Sequence, residues 1–138
     1  MVLKWHFLKS FNSFKKLFSL NNEPIEARVL RQKVREVYSK AATNPKSKLP
    51  FPVGRAVAEQ VGYPKELLDS LPGTVSESFA GVSNVSLFAE IPAGATVLDI
   101  GCGAGLDSLV AARTAGENGR GKGVALCEEM IAKSRVTV

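Results

Sequence analysis

The first apolar pattern in the chain is a row of phenylalanines with helical spacing. The rings fall at i, i+4, i+7 and i+11, on one face of a predicted helix: Phe7, Phe11, Phe14 and Phe18. Lysines interrupt the continuous apolar run that a secretory signal peptide needs. Residues 1–22 are therefore predicted to form a basic amphipathic segment. Three roles stay open for it: packing on its own domain or a partner, weak contact with a membrane surface, or removal as a targeting sequence.

Helical spacing interrupted by prolines continues through residues 23–93. Pro24 suits the first turn of a helix. An apolar stripe follows it at helical spacing: Leu30, Val34, Val37, Tyr38 and Ala41. Asn44 and three prolines then predict an extended loop, because proline removes a hydrogen-bond donor and restricts the residue before it. We interpret this part of the chain as a helical cap or lid region.

Short helices are expected in the rest of that region. One is predicted from about Arg55 to Val61 and another from Pro64 to Leu71, since glycine and proline punctuate the sequence at those places. The stretch from Gly73 to Asn84 is rich in small residues and is predicted to be a loop. Asn84 is expected to cap a last short helix through Glu90, because its side chain can accept from first-turn amides.

The pattern changes to strand, helix, strand, helix in residues 94–138. Ala95 to Ile100 is a short apolar strand, a glycine-rich turn follows it directly, and helical spacing begins at Leu106. A second strand is expected after Gly119 and a second helix from Glu128. A strand that enters a glycine-rich turn and then a helix is the opening of a doubly wound α/β sheet. The predicted fold class is therefore α/β, with an α-helical region before a Rossmann-like sheet.

Charge and cysteine content narrow the function classes. Of the net charge of +5, residues 1–22 carry four positive charges and no acid, from these lysines: Lys4, Lys9, Lys15 and Lys16. Because a nucleic-acid binder usually spreads its basic patch over the folded domain, we expect no nucleic-acid partner. Cys102 and Cys127 lack the number and spacing of a disulfide framework or a structural zinc site. They are expected to be reduced thiols in a cytoplasmic protein without a metal.

The turn from Gly101 to Gly105 carries the chemistry of the chain. Its glycines permit positive φ and close approach of a ligand, and the following helix presents unpaired N–H groups that suit a carboxylate or phosphate. The dinucleotide fingerprint would need a glycine where Leu106 stands, and a P-loop would need Gly-Lys-Ser/Thr. The spacing therefore argues against a nucleotide-dependent oxidoreductase.

The whole string from Val97 to Gly105 resembles motif I of class I S-adenosylmethionine (SAM) dependent methyltransferases. In that family the loop wraps the methionine part of SAM, and the acid on the strand helps to hold the amino group. The resemblance implies SAM as the cofactor and these cofactor-binding residues: Asp99, Gly101, Cys102, Gly103, Ala104, Gly105 and Leu126. It identifies no catalytic residue within the chain.

A narrower resemblance covers roughly residues 30–135 and points to the arsenite methyltransferase group and its relatives. Three stretches carry it beside motif I: Val34–Tyr38, Ser78–Gly81 and Gly103–Asp107. The resemblance implies helices that cover the cofactor, with Tyr38 and the loop Phe79–Asn84 as lid, substrate-side or ordinary packing residues. Asp107 either satisfies the helix macrodipole or contacts the cofactor.

The sequence departs from that group in three respects. The stretch before motif I has no cysteine, and the group relies on thiolates to bind As(III), which argues against arsenite as the substrate. Ala125 stands where the family has an acid for the ribose hydroxyls, and Glu128 and Glu129 fit the first turn of a helix instead. Only two strands of the larger family sheet are predicted, so the chain reads as the truncated N-terminal part of such an enzyme.

Two functions are compatible with these patterns. The leading hypothesis is a SAM-dependent methyltransferase that acts on an unidentified small-molecule acceptor. The alternative is a non-catalytic, truncated or degenerate SAM-binding relative that acts as an interaction or membrane-surface protein through residues 1–22. Because an unpaired strand edge is a template for pairing with another chain, the sequence also predicts self-association.

Overall fold

The computed structural model describes residues 5–7 and 25–135, with side chains described from residue 25 onward. After one short strand that the sequence does not predict, a run of helices precedes the two predicted strands. The elements in chain order are β1 (Trp5–Phe7), α1 (Ile25–Thr43), α2 (Arg55–Gln60), α3 (Lys65–Asp69), α4 (Gly73–Glu77), α5 (Val85–Phe88), β2 (Thr96–Ile100), α6 (Leu106–Ala115), β3 (Arg120–Val124) and α7 (Glu128–Arg135).

The described strands form one parallel sheet in the order β1-β3-β2. β2 and β3 are paired from Thr96 opposite Arg120 to Ile100 opposite Val124. Parallel neighbours need a crossover connection, and α6 supplies it between β2 and β3. The predicted class, a helical region followed by the start of a Rossmann-like α/β sheet, is confirmed.

The strand β1 differs from the sequence prediction. Phe7 was predicted to begin the phenylalanine face of a helix, but it lies in β1, so the helical prediction is wrong at that residue. β1 pairs with β3 with Trp5 opposite Gly121 and Phe7 opposite Gly123. This pairing satisfies backbone groups on an edge of β3, and aromatic residues favour strands. The rings of Phe11, Phe14 and Phe18, like the remainder of residues 8–24, lie outside the described residues.

The helical segment, defined as residues 25–93, begins with the predicted long helix α1. Its C-terminal end packs in the core, where Ala41 and Ala42 are buried. The predicted apolar stripe is only partly covered: Leu30 keeps 63% of its surface exposed, and Tyr38 is half-buried. Within the part of the chain that the structure describes, no helix combines the length and apolar character of a membrane span.

The stretch from Gly73 to Asn84 was predicted to be a loop, but its first residues form α4. Val75 explains the difference, because it is 1% exposed in the core and its burial offsets weak intrinsic helix propensity. Asn84 does stand at the N-cap of α5, yet its side chain makes no capping hydrogen bond. Asp107 accepts from the α5 amide of Ser86 instead, at 3.0 Å.

The core lies between the helical segment and the α6 and α7 helices. Seven of the ten α6 residues are buried: Leu106, Ser108, Leu109, Val110, Ala111, Ala112 and Ala115. Leu106, Leu109 and Val110 pack with Tyr63 and Phe79 of the helical segment. A second cluster joins Ala41 and Ala42 to the turn after β2 and to α7. The glycine-rich turn is therefore flanked by packed helices.

The two faces of β2 are in different environments. Val97 and Asp99 are half-buried on the face that meets α6, where Val97 packs beside Ala111 and Ala112. Leu98 and Ile100, on the opposite face, keep 55% and 69% of their surfaces exposed. The described helices therefore cover the face that carries Asp99.

Candidate functional site

The glycine-rich turn connects the end of β2 to the start of α6. Gly101, Gly103 and Gly105 have φ values of 93°, 51° and 97°, in the region that favours glycine. The amides of Gly101 and Cys102 donate to the Val124 carbonyl of β3, at 2.7 and 3.0 Å, and fix the turn to the neighbouring strand. A Cβ atom built on Gly101 or Gly103 would meet no heavy atom within 4 Å. The turn therefore presents bare backbone to open space.

That open space is a cavity of about 300 Å³ between the turn and the helical segment, called here the main cavity. The turn side consists of residues 101–104 with Leu106 and Asp107, and Met130 contributes from α7. The opposite wall is formed by the helical segment: Tyr38, Val75, Ser78, Phe79, Ala80, Gly81 and Val82. The predicted lid or substrate-side residues, Tyr38 and the start of the Phe79–Asn84 loop, thus face the turn across this cavity.

A smaller cavity of about 160 Å³, the side cavity, lies on the β3 side of the turn. It shares Tyr38, Gly101, Gly103 and Met130 with the main cavity. Three residues after β3 complete it: Ala125, Leu126 and Cys127. The two cavities together border the turn on both sides.

Five of the seven predicted cofactor-binding residues line one of the two cavities, and two do not. Gly101, Cys102, Gly103 and Ala104 line the main cavity, and Leu126 lines the side cavity. Asp99 and Gly105 line neither of these two cavities. Gly105 is the N-cap residue of α6, and its carbonyl accepts from Leu109 at 2.9 Å.

Asp99 is oriented toward α6. Its Oδ2 accepts from the Ser108 hydroxyl at 2.5 Å. Burial raises the pKa of Asp99, the Ser108 hydrogen bond opposes that rise, and the negative charge of Asp107 adds to it. The Oδ1 atom of Asp99 accepts no hydrogen bond from the described residues.

Asp107 links α6 to the helical segment. Its Oδ1 accepts from the Tyr63 hydroxyl and from the Ser86 amide, the latter at 3.0 Å. Tyr63 is 2% exposed, and its pKa is raised by burial first and by the hydrogen bond to Asp107 second. Neither Tyr63 nor Ser86 was predicted as a site residue. They lie 44 and 21 positions before Asp107, and no local spacing in the sequence connects residues so far apart.

The two cysteines are buried and free. Burial raises the pKa of Cys102 to about 12, with the nearby Asp99 as the second cause. Burial also raises the pKa of Cys127. Because the thiolate is the form that binds soft metals and attacks electrophiles, both thiols are poorly suited to either role. Among residues 25–135, no group of three or more potential metal ligands comes together.

The position at which the resemblance implies an acid for the ribose hydroxyls is apolar. Ala125 follows β3 directly, is 4% exposed and lines the side cavity. Glu128 and Glu129 lie in the first turn of α7, as predicted from the sequence. Glu129 accepts from the Ser39 hydroxyl at 2.7 Å, and this hydrogen bond lowers its pKa. Neither carboxylate lines the main or the side cavity.

Comparisons with known proteins agree with a methyltransferase. The family model described as Protein-L-isoaspartate(D-aspartate) O-methyltransferase (PCMT) matches residues 25–138. A curated relative, the arsenite methyltransferase of Halobacterium salinarum, is 37% identical over 81 residues, or 59% of this chain. Those residues are 20% of that protein, so the chain matches about a fifth of the relative's length. No solved structure matches the chain.

Proposed function

Since the chain belongs to the protein-L-isoaspartate(D-aspartate) O-methyltransferase family, we propose that it binds SAM at the glycine-rich turn as part of a methyltransferase. The main cavity, with bare glycine backbone on one side and the helical segment on the other, is the observation that carries the proposal. Its volume of about 300 Å³ is at the lower end of ligand pockets.

The turn suits the amino-acid end of SAM. The open space beside Gly101 and Gly103 lets a ligand approach the backbone without meeting a side chain. The first amides of α6, which follow directly, favour a carboxylate through unpaired N–H groups and the helix macrodipole. Residues at this end therefore fit the methionine part of the cofactor.

The ribose end fits less well. A ribose diol is usually held by a carboxylate after the second strand, and Ala125 occupies that position here. The side cavity is lined by Tyr38, Leu126, Cys127 and Met130 beside it, and none of these is an acid. We therefore assign SAM binding in this chain mainly to the glycine-rich turn.

Bound SAM supplies an electrophilic methyl group on its sulfonium. The side chains of this chain would bind and orient that group and keep water from it. Val75 and Phe79 are buried apolar walls of the main cavity, and Met130 closes it from α7. Positioning of this kind lowers the barrier to an in-line displacement. No described residue of the cavity is assigned as a catalytic base.

The acceptor that we propose is a small molecule. The curated relative is named for arsenite, and As(III) prefers sulfur ligands. Burial keeps the pKa of Cys102 and Cys127 high, so the chain's own thiols do not favour that acceptor. The family description names isoaspartyl groups in proteins instead. Val82 lines the cavity and is 95% exposed, so we propose that the small acceptor enters from this solvent-facing side.

Calorimetric titration with SAM, with NAD as a parallel ligand, tests the cofactor. We expect micromolar binding of SAM and none of NAD. Gly101→Ala should weaken SAM binding at least about tenfold, because the new methyl group occupies the ligand's side of the turn. Gly116→Ala is the matched control, since Gly116 also has positive φ (72°) and open space around it but lies at the other end of α6.

The outcomes separate binding from folding. Equal loss of affinity in both glycine variants would show that backbone strain, and not the cavity, causes the effect. No heat with SAM in the wild-type chain would refute the proposed cofactor.

A second candidate is a non-catalytic SAM-binding relative that acts as an interaction or membrane-surface protein. Ala125 in the ribose position is the observation that favours it. Co-sedimentation with anionic liposomes, with and without residues 1–22, tests the membrane role. Equal pelleting of the two forms would exclude it.

A further inference from the structure

The main cavity contains a negatively charged side chain, and the proposed contacts of the glycine-rich turn with SAM give it no role. Asp107 is the single charged side chain among the described residues that line it. The others are glycines, apolar side chains, Ser78 and Tyr38. A carboxylate without a cationic partner at a mostly apolar surface favours binding of a positively charged group.

The carboxylate of Asp107 is held in one orientation. Its Oδ1 accepts from both Tyr63 and Ser86, and Tyr63 is itself buried and fixed against the Phe79 ring at 5.6 Å between centroids. Its Oδ2 accepts no hydrogen bond from any residue in the described ranges, and no described lysine or arginine forms an ion pair with Asp107. One oxygen is thus fixed by the helical segment while the other stays open.

The helix macrodipole alone does not account for this arrangement. An acid in the first turn of α6 is stabilised by the macrodipole in any exposed orientation. Here the carboxylate instead lines a cavity and accepts two donors on the same oxygen. Asp99, which lies close enough to interact with it electrostatically, adds negative charge to the same end of α6.

From this geometry we infer that the Oδ2 atom of Asp107 binds the ammonium group at the amino-acid end of SAM. The inference rests on the proposed function and assigns to Asp107 a contact that the motif resemblance assigns to Asp99. The ligand's carboxylate then lies at the turn amides, and its ammonium lies at the acid that follows them.

Three ligands distinguish an ammonium contact from a structural role. SAM and S-adenosylhomocysteine carry the ammonium, 5′-methylthioadenosine lacks the whole amino acid, and only SAM carries the sulfonium. Asp107→Asn removes the charge but keeps an oxygen that Tyr63 and Ser86 can donate to. We expect about 10- to 100-fold weaker binding of SAM and of S-adenosylhomocysteine, and unchanged binding of 5′-methylthioadenosine, by calorimetry.

Two control variants accompany this experiment. Asp69→Asn removes a negative charge from an exposed ion pair with Arg55 and should leave all three affinities unchanged. Asp99→Asn should weaken SAM binding less than Asp107→Asn does, because Asp99 lines neither cavity. Circular dichroism spectra confirm that each variant is folded before titration.

A second test uses only the wild-type chain, so its result does not depend on whether a variant folds. A deaminated analogue of S-adenosylhomocysteine should bind about 10- to 100-fold more weakly than the parent compound. Equal affinity of the two would overturn the inference.

The remaining outcomes are equally decisive. The same loss for all three ligands in Asp107→Asn means that Asp107 only fixes the helical segment. If Asp107→Asn weakens the binding of SAM alone, the Asp107 carboxylate contacts the sulfonium. If Asp99→Asn weakens SAM binding more than Asp107→Asn does, Asp99 is the residue that holds the ammonium group. Either result overturns the inference while the proposed cofactor stands. Wild-type chain that binds none of the three ligands refutes both proposals.

Discussion

Removal of the Tyr63 hydroxyl should destabilise the fold measurably, although its ring would stay in place. Tyr63 lies against Phe79 with its ring plane at 84° to the Phe79 ring, and Tyr63→Phe keeps this edge contact. The substitution deletes only the hydrogen bonds to Asp107 and Ser86. A hydrogen bond to a charged group contributes about 1.5–3 kcal/mol to stability. Because Ser86 continues to donate to Asp107, we expect about 2 kcal/mol less free energy of unfolding.

Urea denaturation followed by circular dichroism measures this loss, with Tyr38→Phe as the matched control. Tyr38 is half-buried, and its hydroxyl makes no hydrogen bond within the described residues, so its removal should change the free energy of unfolding by less than about 0.5 kcal/mol. A double-mutant cycle with Asp107→Asn should give a coupling energy of about 1–2 kcal/mol. Equal small losses in the two tyrosine variants, with no coupling, would refute the assigned role of Tyr63.

Three further predictions concern the turn and its neighbours. Burial raises the pKa of Asp99, so the folded chain binds this proton more tightly than the unfolded chain does. The free energy of unfolding should therefore fall as the pH rises from about 4 through that raised pKa, and urea titrations of Asp99→Asn should lack this component. Iodoacetamide should label Cys102 at least about tenfold more slowly in the folded chain than in urea, and equal rates by mass spectrometry would contradict its burial. Ala125→Asp should tighten SAM binding about tenfold while Ala125→Asn does not, because only the carboxylate accepts both ribose hydroxyls with charge assistance; equal affinities would show that Ala125 does not face the ribose.

Local signals were sufficient to predict the turn and the elements on either side of it. The glycines at 101 and 103 adopt the positive φ that the sequence pattern requires. β2 and α6 occur where the short apolar run and the helical spacing place them. These features depend on neighbours within a few residues, which a single sequence shows directly. The role of individual turn residues in cofactor binding stays a prediction.

Tertiary contacts explain what the sequence analysis missed. α4 forms because Val75 packs in the core, although the residues around it have weak helix propensity. β1 forms because a distant strand, β3, offers it an edge. Asn84 occupies the expected cap position, but the acid that accepts from the α5 amide belongs to α6. A pattern read along the chain does not show which distant side chain satisfies a given amide.

The same contacts decide whether the main cavity exists at all. Besides the Asp107 contact, Arg113 of α6 donates to the Ser70 hydroxyl and carbonyl, each at 2.6 Å. Lys133 of α7 donates to the Ser78 hydroxyl at 2.8 Å, which in turn donates to the Ala41 carbonyl. The helical segment is thus fastened to both helices that follow the glycine-rich turn and its neighbouring strand. Since one wall of the cavity belongs to that segment, the turn by itself is a loop with open glycine backbone, and the cavity forms only where these polar contacts and the apolar packing on α6 hold the helical segment against it.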